Sequence, residues 1–366
     1  MTATLLGVNS MHQLLPVFRR RDAIGEHAVT IRATLREAGI HSEIYSPDVH
    51  PDAADIGMVP TDDLWFGTAP ILYHASTSST LARDLADASA PYLVDYHNIT
   101  PANFFASWEP VVSASLHRAR AELADLAPGC VGALADSTYN AEELVELGYP
   151  EPVVVPVLVD VAGRVGGVDA GLVERVRSGA GSVWLFVGRL APNKAQHDVV
   201  RAFAVFRRWV DRSARLVLVG GSSSESYRSA LLVLVEELGL SGSVVLAGSV
   251  PDEELGSYYA AADVFVCLSE HEGFCVPVLE AMSHRVPVVA LGAAAVPETV
   301  GSAGLVLGDK SPVVVAEAVG RVVGDDRLRA GLVAAGEERV DELSIERGRA
   351  RLLDAVAPLI EPAHVH

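Results

Sequence analysis

Lysine is nearly missing from this chain of 366 residues: Lys194 and Lys310 are the only two, and arginine supplies the rest of the positive charge. Acidic residues outnumber basic ones, leaving a formal charge of -19 at pH 7. A surface of that sign argues against nucleic acid or an anionic bilayer as a general partner, since both are polyanions. It leaves room for a phosphate site, which needs only a few local cations. The run Arg19-Arg20-Arg21 is one such cluster, and equally the pattern of a solvated loop end. Cysteine is scarce too. Cys130, Cys267 and Cys275 are odd in number and lack metal-ligand spacing, which speaks against a disulfide framework and fits reduced thiols in a cytoplasm. No apolar run reaches the ~18 residues of a membrane span. The residues after Met1 show neither the basic lead nor the cleavage pattern of a secretory leader. A cytoplasmic protein is expected, with membrane contact at most peripheral.

Half of the residues are apolar, ample for buried cores, and the length is more than one ordinary core would use. Apolar strand-like runs alternate with helical patterns throughout. In the first half the strands read as Thr4–Val8, Ser42–Tyr45, Ala69–Tyr73, Tyr92–Tyr96 and Val131–Ala135. In the second half they read as Val183–Val187, Leu216–Val219, Val244–Ala247, Asp263–Leu268 and Val286–Leu291. Such alternation implies parallel sheets covered by helices on both faces. The prolines and glycines between Pro150 and Gly167 form the most linker-like stretch. The expected division is therefore an N-terminal Rossmann-like domain over residues 1–162 and a C-terminal one over 163–348, with a helix at 349–366 packing back on the first.

Chemistry concentrates where strands end. After the apolar run Asp263–Leu268 comes Ser269-Glu270-His271-Glu272-Gly273-Phe274-Cys275, then a helix start with Pro277 in its first turn. Unpaired amides at a helix start carry positive partial charge and suit an anion. Glu272 in the loop and Glu280 in the helix stand eight residues apart, and each carboxylate can accept two hydroxyls of a sugar ring. A solvated loop carboxylate and helix-face glutamate would show the same spacing. Earlier, Val187-Gly188-Arg189 and Lys194 place two cations on the loop before another helix, able to offset a diphosphate. In the first half, Asp95-Tyr96-His97-Asn98-Ile99-Thr100-Pro101 puts His97 at a strand end beside turn residues. There an exposed imidazole would donate to a hydroxyl or shuttle a proton; a structural histidine is the plain alternative.

The Glu272…Glu280 pair with Gly273-Phe274 and Pro277 resembles the two-glutamate motif of the retaining glycosyltransferases of family 4, and Gly188-Arg189…Lys194 is similar to their second signature. The resemblance implies the GT-B fold, two Rossmann-like domains facing each other across a cleft. It implies that Arg189 and Lys194 contact the donor diphosphate, with Gly273, Phe274 and Cys275 at the helix start. By the same resemblance Glu280 binds the nucleotide ribose, Glu272 lies by the transferred sugar, and Val250 stands where backbone meets the base. His-Asn-Ile-Thr-Pro looks like a segment of a subset of these enzymes in which the histidine sits beside the donor sugar, which would make His97 and Glu272 the catalytic pair. Many members have two or more glycines in the first loop; this chain has only Gly25 there, so its amide contact with the diphosphate is less close. His12 and Gln13 read as loop residues that either meet an acceptor or serve the loop alone. Ser137 lines the site or caps a helix.

The implied activity is hexosyl transfer from a nucleoside-diphosphate sugar to a hydroxyl of a polysaccharide, glycolipid or natural product, with retained configuration. Fixed cations would replace a metal, so no cofactor is expected. Two rivals fit the same architecture: a sugar-nucleotide epimerase, and an inactive sugar-nucleotide-binding partner subunit.

Overall fold

Alternating apolar runs fold into two separate parallel sheets. The computed structural model describes residues 9–20, 22–161, 163 and 167–359. The expected strand Thr4–Val8, together with Arg21 and Gly166, lies outside the described residues. The chain divides into two compact units. One comprises the chain up to Ala102, Val111–Val159 and the residues from Leu343; the other comprises Asn103–Pro110 and Asp160–Glu342. The boundary thus falls just before the expected one, and residues 103–110 leave the first unit for the second. Their side chains explain this. Trp108 packs edge-on to Tyr227 at 5.2 Å, and the Glu109 carboxylate accepts the Ser224 hydroxyl at 2.7 Å.

The first sheet contains β1 (His12–Leu14), β2 (Ile44–Tyr45), β3 (Gly57–Met58), β4 (Ile71–Ala75), β5 (Tyr92–Tyr96), β6 (Cys130–Ala135) and β7 (Val153–Val154). Their order is β3-β2-β1-β4-β5-β6-β7, and all pairs are parallel. The stretch read as a loop at His12 and Gln13 is therefore an inner strand, paired with β2 and β4. Three residues with two polar side chains carry no period to mark it. Every residue of β4 and β5 is buried, as in sheets covered on both faces. On one face, Leu352 and Val356 of the helix Ile345–Val356 join Ile31, Leu35, Leu72 and Leu93 in a single apolar cluster.

The second sheet contains β8 (Val183–Val187), β9 (Arg215–Val219), β10 (Val244–Gly248), β11 (Val264–Cys267), β12 (Val288–Leu291) and β13 (Gly304–Leu307), in the order β10-β9-β8-β11-β12-β13. The helix Gln196–Trp209 follows β8 and buries Val199, Val200, Phe203 and Phe206, spaced at three and four residues, against Trp184 and its neighbours. Trp184 lies tilted against Phe206, with ring centroids 5.0 Å apart; emptying such an aromatic site typically costs about 3–5 kcal/mol. In both sheets the chain reverses direction of growth beside its first strand, between β1 and β4 and between β8 and β11. Loops leaving the C-terminal ends of strands at such points are where open α/β sheets hold ligands. Among the described residues no helix is long and apolar enough to cross a membrane.

Candidate functional site

The loops after β8 and β11 leave from adjacent strands and are fastened to each other. The Glu270 amide donates to the Asn193 carbonyl at 2.8 Å, and the Asn193 side chain donates back to the His271 carbonyl at 3.2 Å. Across this frame Lys194 Nζ reaches both Glu272 carboxylate oxygens, at 2.6 and 2.5 Å. Burial alone would lower the Lys194 pKa; the Glu272 carboxylate outweighs it and raises the pKa. The other lysine belongs to the same frame: Lys310 Nζ lies 2.7 Å from Glu270 and 2.6 Å from Asp198. Nothing in the sequence around Lys310 marked it, since its partners lie 40 and more residues away.

Behind Glu272, the Ala295 amide donates to its carbonyl at 3.2 Å, and the Thr299 hydroxyl donates to the Phe274 carbonyl. Phe274 and Cys275 are buried, with Gly273 half-buried. Cys275 starts the helix Val276–Ser283 with φ 75° and no capping side chain, so the first-turn amides are left without a side-chain acceptor. Ala195 (φ 51°) and Ala294 (φ 49°) are also left-handed without being glycine. Strained backbone of this kind gathers at working loops. One turn into the helix, Glu280 is buried rather than on a solvated face, and its carboxylate accepts the Tyr259 hydroxyl at 2.8 Å. Gly220 stands at φ 138°, where a Cβ would lie 2.1 Å from the Gly188 carbonyl oxygen, so these strand ends close tightly together. Arg189 is exposed, and its guanidinium makes no hydrogen bond or ion pair among the described residues, leaving it available to an anion. Val250 is half-buried on the loop after β10.

In the first unit two expectations change. Gly25 does lack room for a side chain, but because the Arg19 carbonyl occupies the place of its Cβ at 1.6 Å; its amide donates to the capping Asp22 at 2.7 Å rather than standing free. His97 is not exposed. Lying just past β5, its ring is buried between neighbouring strand ends, with both nitrogens engaged. Nδ1 donates to the Asp136 carboxylate at 3.0 Å, and Nε2 lies 2.8 Å from His74 Nδ1. The surrounding bonds assign the protons. Gln13 Nε2 donates to the Ala28 carbonyl, so its Oε1 accepts from His74 Nε2 at 3.0 Å. His27 Nδ1 accepts the Leu158 amide at 2.8 Å, so its proton is on Nε2 and goes to Asp95 at 2.9 Å. A single further proton then lies between His74 and His97. Burial pulls the His97 pKa down, but the Asp136 and Asp95 carboxylates outweigh it and raise it to about 9. Burial holds His74 well below its ordinary value. His97 is thus buried, with both ring nitrogens engaged by side chains of the first unit. His12 is half-buried in β1, where its Nδ1 accepts the Glu43 amide at 3.2 Å. Ser137 is a helix cap, accepting the Asn140 amide at 3.2 Å.

Residues 176–339 match the family model described as Glycosyl transferases group 1. Among characterised proteins, the chain is 33% identical over 171 residues to the O-antigen chain mannosyltransferase B of Escherichia coli, covering 47% of this chain and 44% of that protein. It is 36% identical over 180 residues to a GDP-mannose-dependent alpha-(1-6)-phosphatidylinositol monomannoside mannosyltransferase of Mycobacterium tuberculosis, covering 47% of this chain and 46% of that one. The matched region spans less than half the length of these relatives. Over nearly the whole chain the fold is similar to that of Anabaena HepE in complex with UDP and glucose, with TM-score 0.77 at 16% identity, covering 96% of this chain and 100% of HepE. It is also similar to that of WaaG, a glycosyltransferase involved in lipopolysaccharide biosynthesis, with TM-score 0.69 at 14% identity, covering 95% and 99%. The chain therefore has the GT-B fold, and its residues 176–339 are similar to the glycosyl transferases group 1 domain.

Proposed function

We propose that this protein transfers a hexosyl group from a nucleoside-diphosphate sugar to an acceptor hydroxyl with retention of anomeric configuration, as in family 4. The observation that carries the reading is the Lys194–Glu272 pair, held between the loops of adjacent strands at the point where the second sheet reverses. A cation and a carboxylate at one spot suit a donor whose diphosphate and sugar adjoin. Lys194, the unpaired Arg189 and the amides at Gly273, Phe274 and Cys275 would offset the charge that grows on the leaving nucleotide. They would do so without a metal ion in the transfer step. Glu280, fixed by Tyr259, would take the ribose hydroxyls, Val250 would meet the base, and Glu272 would orient the sugar. His97 is left out of the reacting set because both its ring nitrogens are committed.

The named relatives direct the donor screen toward GDP-mannose, and the fold neighbour HepE, also seen in complex with UDP-glucose, toward that donor. Thermal shift against GDP-, UDP-, ADP- and dTDP-sugars should single out one donor, because a ligand at a hundred times its Kd stabilises by about 2.7 kcal/mol. NMR of the product from that donor and an acceptor panel should show the donor's own anomeric configuration. No shift with any donor would sink the proposal, and an inverted product would sink retention. Donor conversion with no acceptor present would favour the epimerase reading instead.

A further inference from the structure

The loop that carries Glu272, Gly273, Phe274 and Cys275 is gripped from behind at alternate residues. The grip comes from the short helix Val296–Val300 and the residue before it. The Ala295 amide donates to the Glu272 carbonyl at 3.2 Å, and the buried Thr299 hydroxyl donates to the Phe274 carbonyl, 25 residues back in the chain. A helical threonine ordinarily returns its hydroxyl to the carbonyl four residues earlier. Here that contact, to Ala295, is the longer one at 3.4 Å, and the hydrogen goes to Phe274. A trans peptide points its carbonyl and the next residue's N–H in opposite directions, and no peptide bond among the described residues is cis. Because the Glu272 and Phe274 carbonyls both face the short helix, the Gly273 and Cys275 amides both face away from it. Neither amide makes a hydrogen bond among the described residues. The grip is itself anchored. Arg339, in the helix Asp326–Glu342, donates from Nε to the Thr299 carbonyl at 3.1 Å and from Nη2 to the Glu298 carbonyl at 2.5 Å, closing the end of the short helix.

We infer that Thr299 is a positioning residue of the donor site: through the Phe274 carbonyl, its hydroxyl aims the Cys275 amide, together with that of Gly273, at the donor's diphosphate. The inference rests on the donor site proposed above. Thr299 lies too deep to touch a ligand itself, so it acts only through the peptide it holds. That peptide needs holding. Cys275 stands at φ 75° without being glycine, and no side chain caps the helix it starts. A residue in that region returns readily to an ordinary backbone conformation once its restraint is removed. With the hydroxyl gone, the Phe274 carbonyl loses its donor, the Phe274–Cys275 peptide turns, and the Cys275 amide leaves the anion. Lys194 and Arg189 stay in place, so the loss is confined to the part of the diphosphate that the amides serve.

The test uses the full chain and Thr299→Val, which keeps the volume and removes the hydrogen. The variant is expected to bind the better of UDP and GDP about tenfold more weakly, the worth of one hydrogen bond to a charged group, and inorganic pyrophosphate weaker by as much. The matching nucleoside, uridine or guanosine, carries no phosphate and should bind the variant as it binds wild type. Thr299→Ser restores the hydroxyl and should recover most of the diphosphate affinity. Labelling the cysteines isotopically gives one amide signal each for Cys130, Cys267 and Cys275; pyrophosphate should move that of Cys275 in wild type and much less in Thr299→Val. A Thr299→Val chain that binds diphosphate as wild type does overturns the inference, and so does one that loses nucleoside and diphosphate equally. If wild type binds pyrophosphate but neither UDP nor GDP, the donor reading fails while pyrophosphate still decides the role of Thr299; wild type that binds none of them overturns both. Should Thr299→Val not fold, Arg339→Gln loosens the same short helix from its far end and should weaken diphosphate but not nucleoside; unchanged diphosphate binding in it overturns the inference.

Discussion

Replacing Glu272 with glutamine is expected to tighten binding of the free nucleoside diphosphate while abolishing sugar transfer. Lys194 donates to both Glu272 oxygens, at 2.6 and 2.5 Å, and the two side chains are 22% and 10% exposed. A diphosphate oxygen that reaches the same ammonium would lie about 5–6 Å from the Glu272 carboxylate. Two unit charges at that distance repel by about 3 kcal/mol at an effective dielectric of 20, and about half survives the ammonium between them. Glutamine keeps the shape and one acceptor but removes the repulsion, worth about tenfold in Kd. The free variant also leaves Lys194 short of an anion, which lowers its own stability and favours the bound state further. Calorimetric titration of wild type and Glu272→Gln with UDP and GDP measures the effect, alongside turnover with the best donor. Lys194→Met is the control, expected to weaken the same nucleotide more than tenfold. A Glu272→Gln chain that binds its nucleotide tenfold more weakly than wild type would refute the placement of the diphosphate at Lys194.

Tyr259→Phe strips Glu280 of a buried donor at 2.8 Å and should cost about 1.5–3 kcal/mol by chemical denaturation; the donor-induced thermal shift should shrink with it, and an unchanged shift would remove Glu280 from the ribose. Gly220→Ala sets a methyl 2.1 Å from the Gly188 oxygen at φ 138° and should cost about 3 kcal/mol or more, read as a lower melting temperature. Asp211 governs an acid limb. Burial raises its pKa, but the Ser213 and Ser182 hydroxyls and amides outweigh burial and lower it from 3.8 to about 2. The depressed folded value means that its contribution is full above pH 3.8 and is lost as pH falls toward 2. Asp211→Asn should flatten that part of a melting-temperature profile, and an identical slope in the variant would refute the assignment.

What could be read in advance divides along physical lines. A strand such as β8 announces itself because five consecutive residues, Val183 to Val187, are apolar or aromatic. β1 does not, because His12 and Gln13 look like loop residues until their partners are known. That Lys194, Glu272 and Glu280 stand just past strand ends was legible from the sequence, since each follows an apolar run by a short loop or one helical turn. Lys310 was not, since it acts on Glu270 and Asp198 from far along the chain. His97 shows the limit most clearly. Its turn-rich neighbours Asn98, Thr100 and Pro101 predicted exposure, yet the ring is covered by residues from β4 and the end of β6. A clue was nonetheless present inside the apolar runs themselves. His74 in β4 and Asp95 in β5 are polar residues in otherwise apolar, buried strands, and burying either alone would be costly. Each follows three apolar or aromatic residues of its strand, so parallel pairing in register brings the two side by side, as the ladder confirms. Two such misfits at matching depth in neighbouring strands are therefore evidence for a paired polar site.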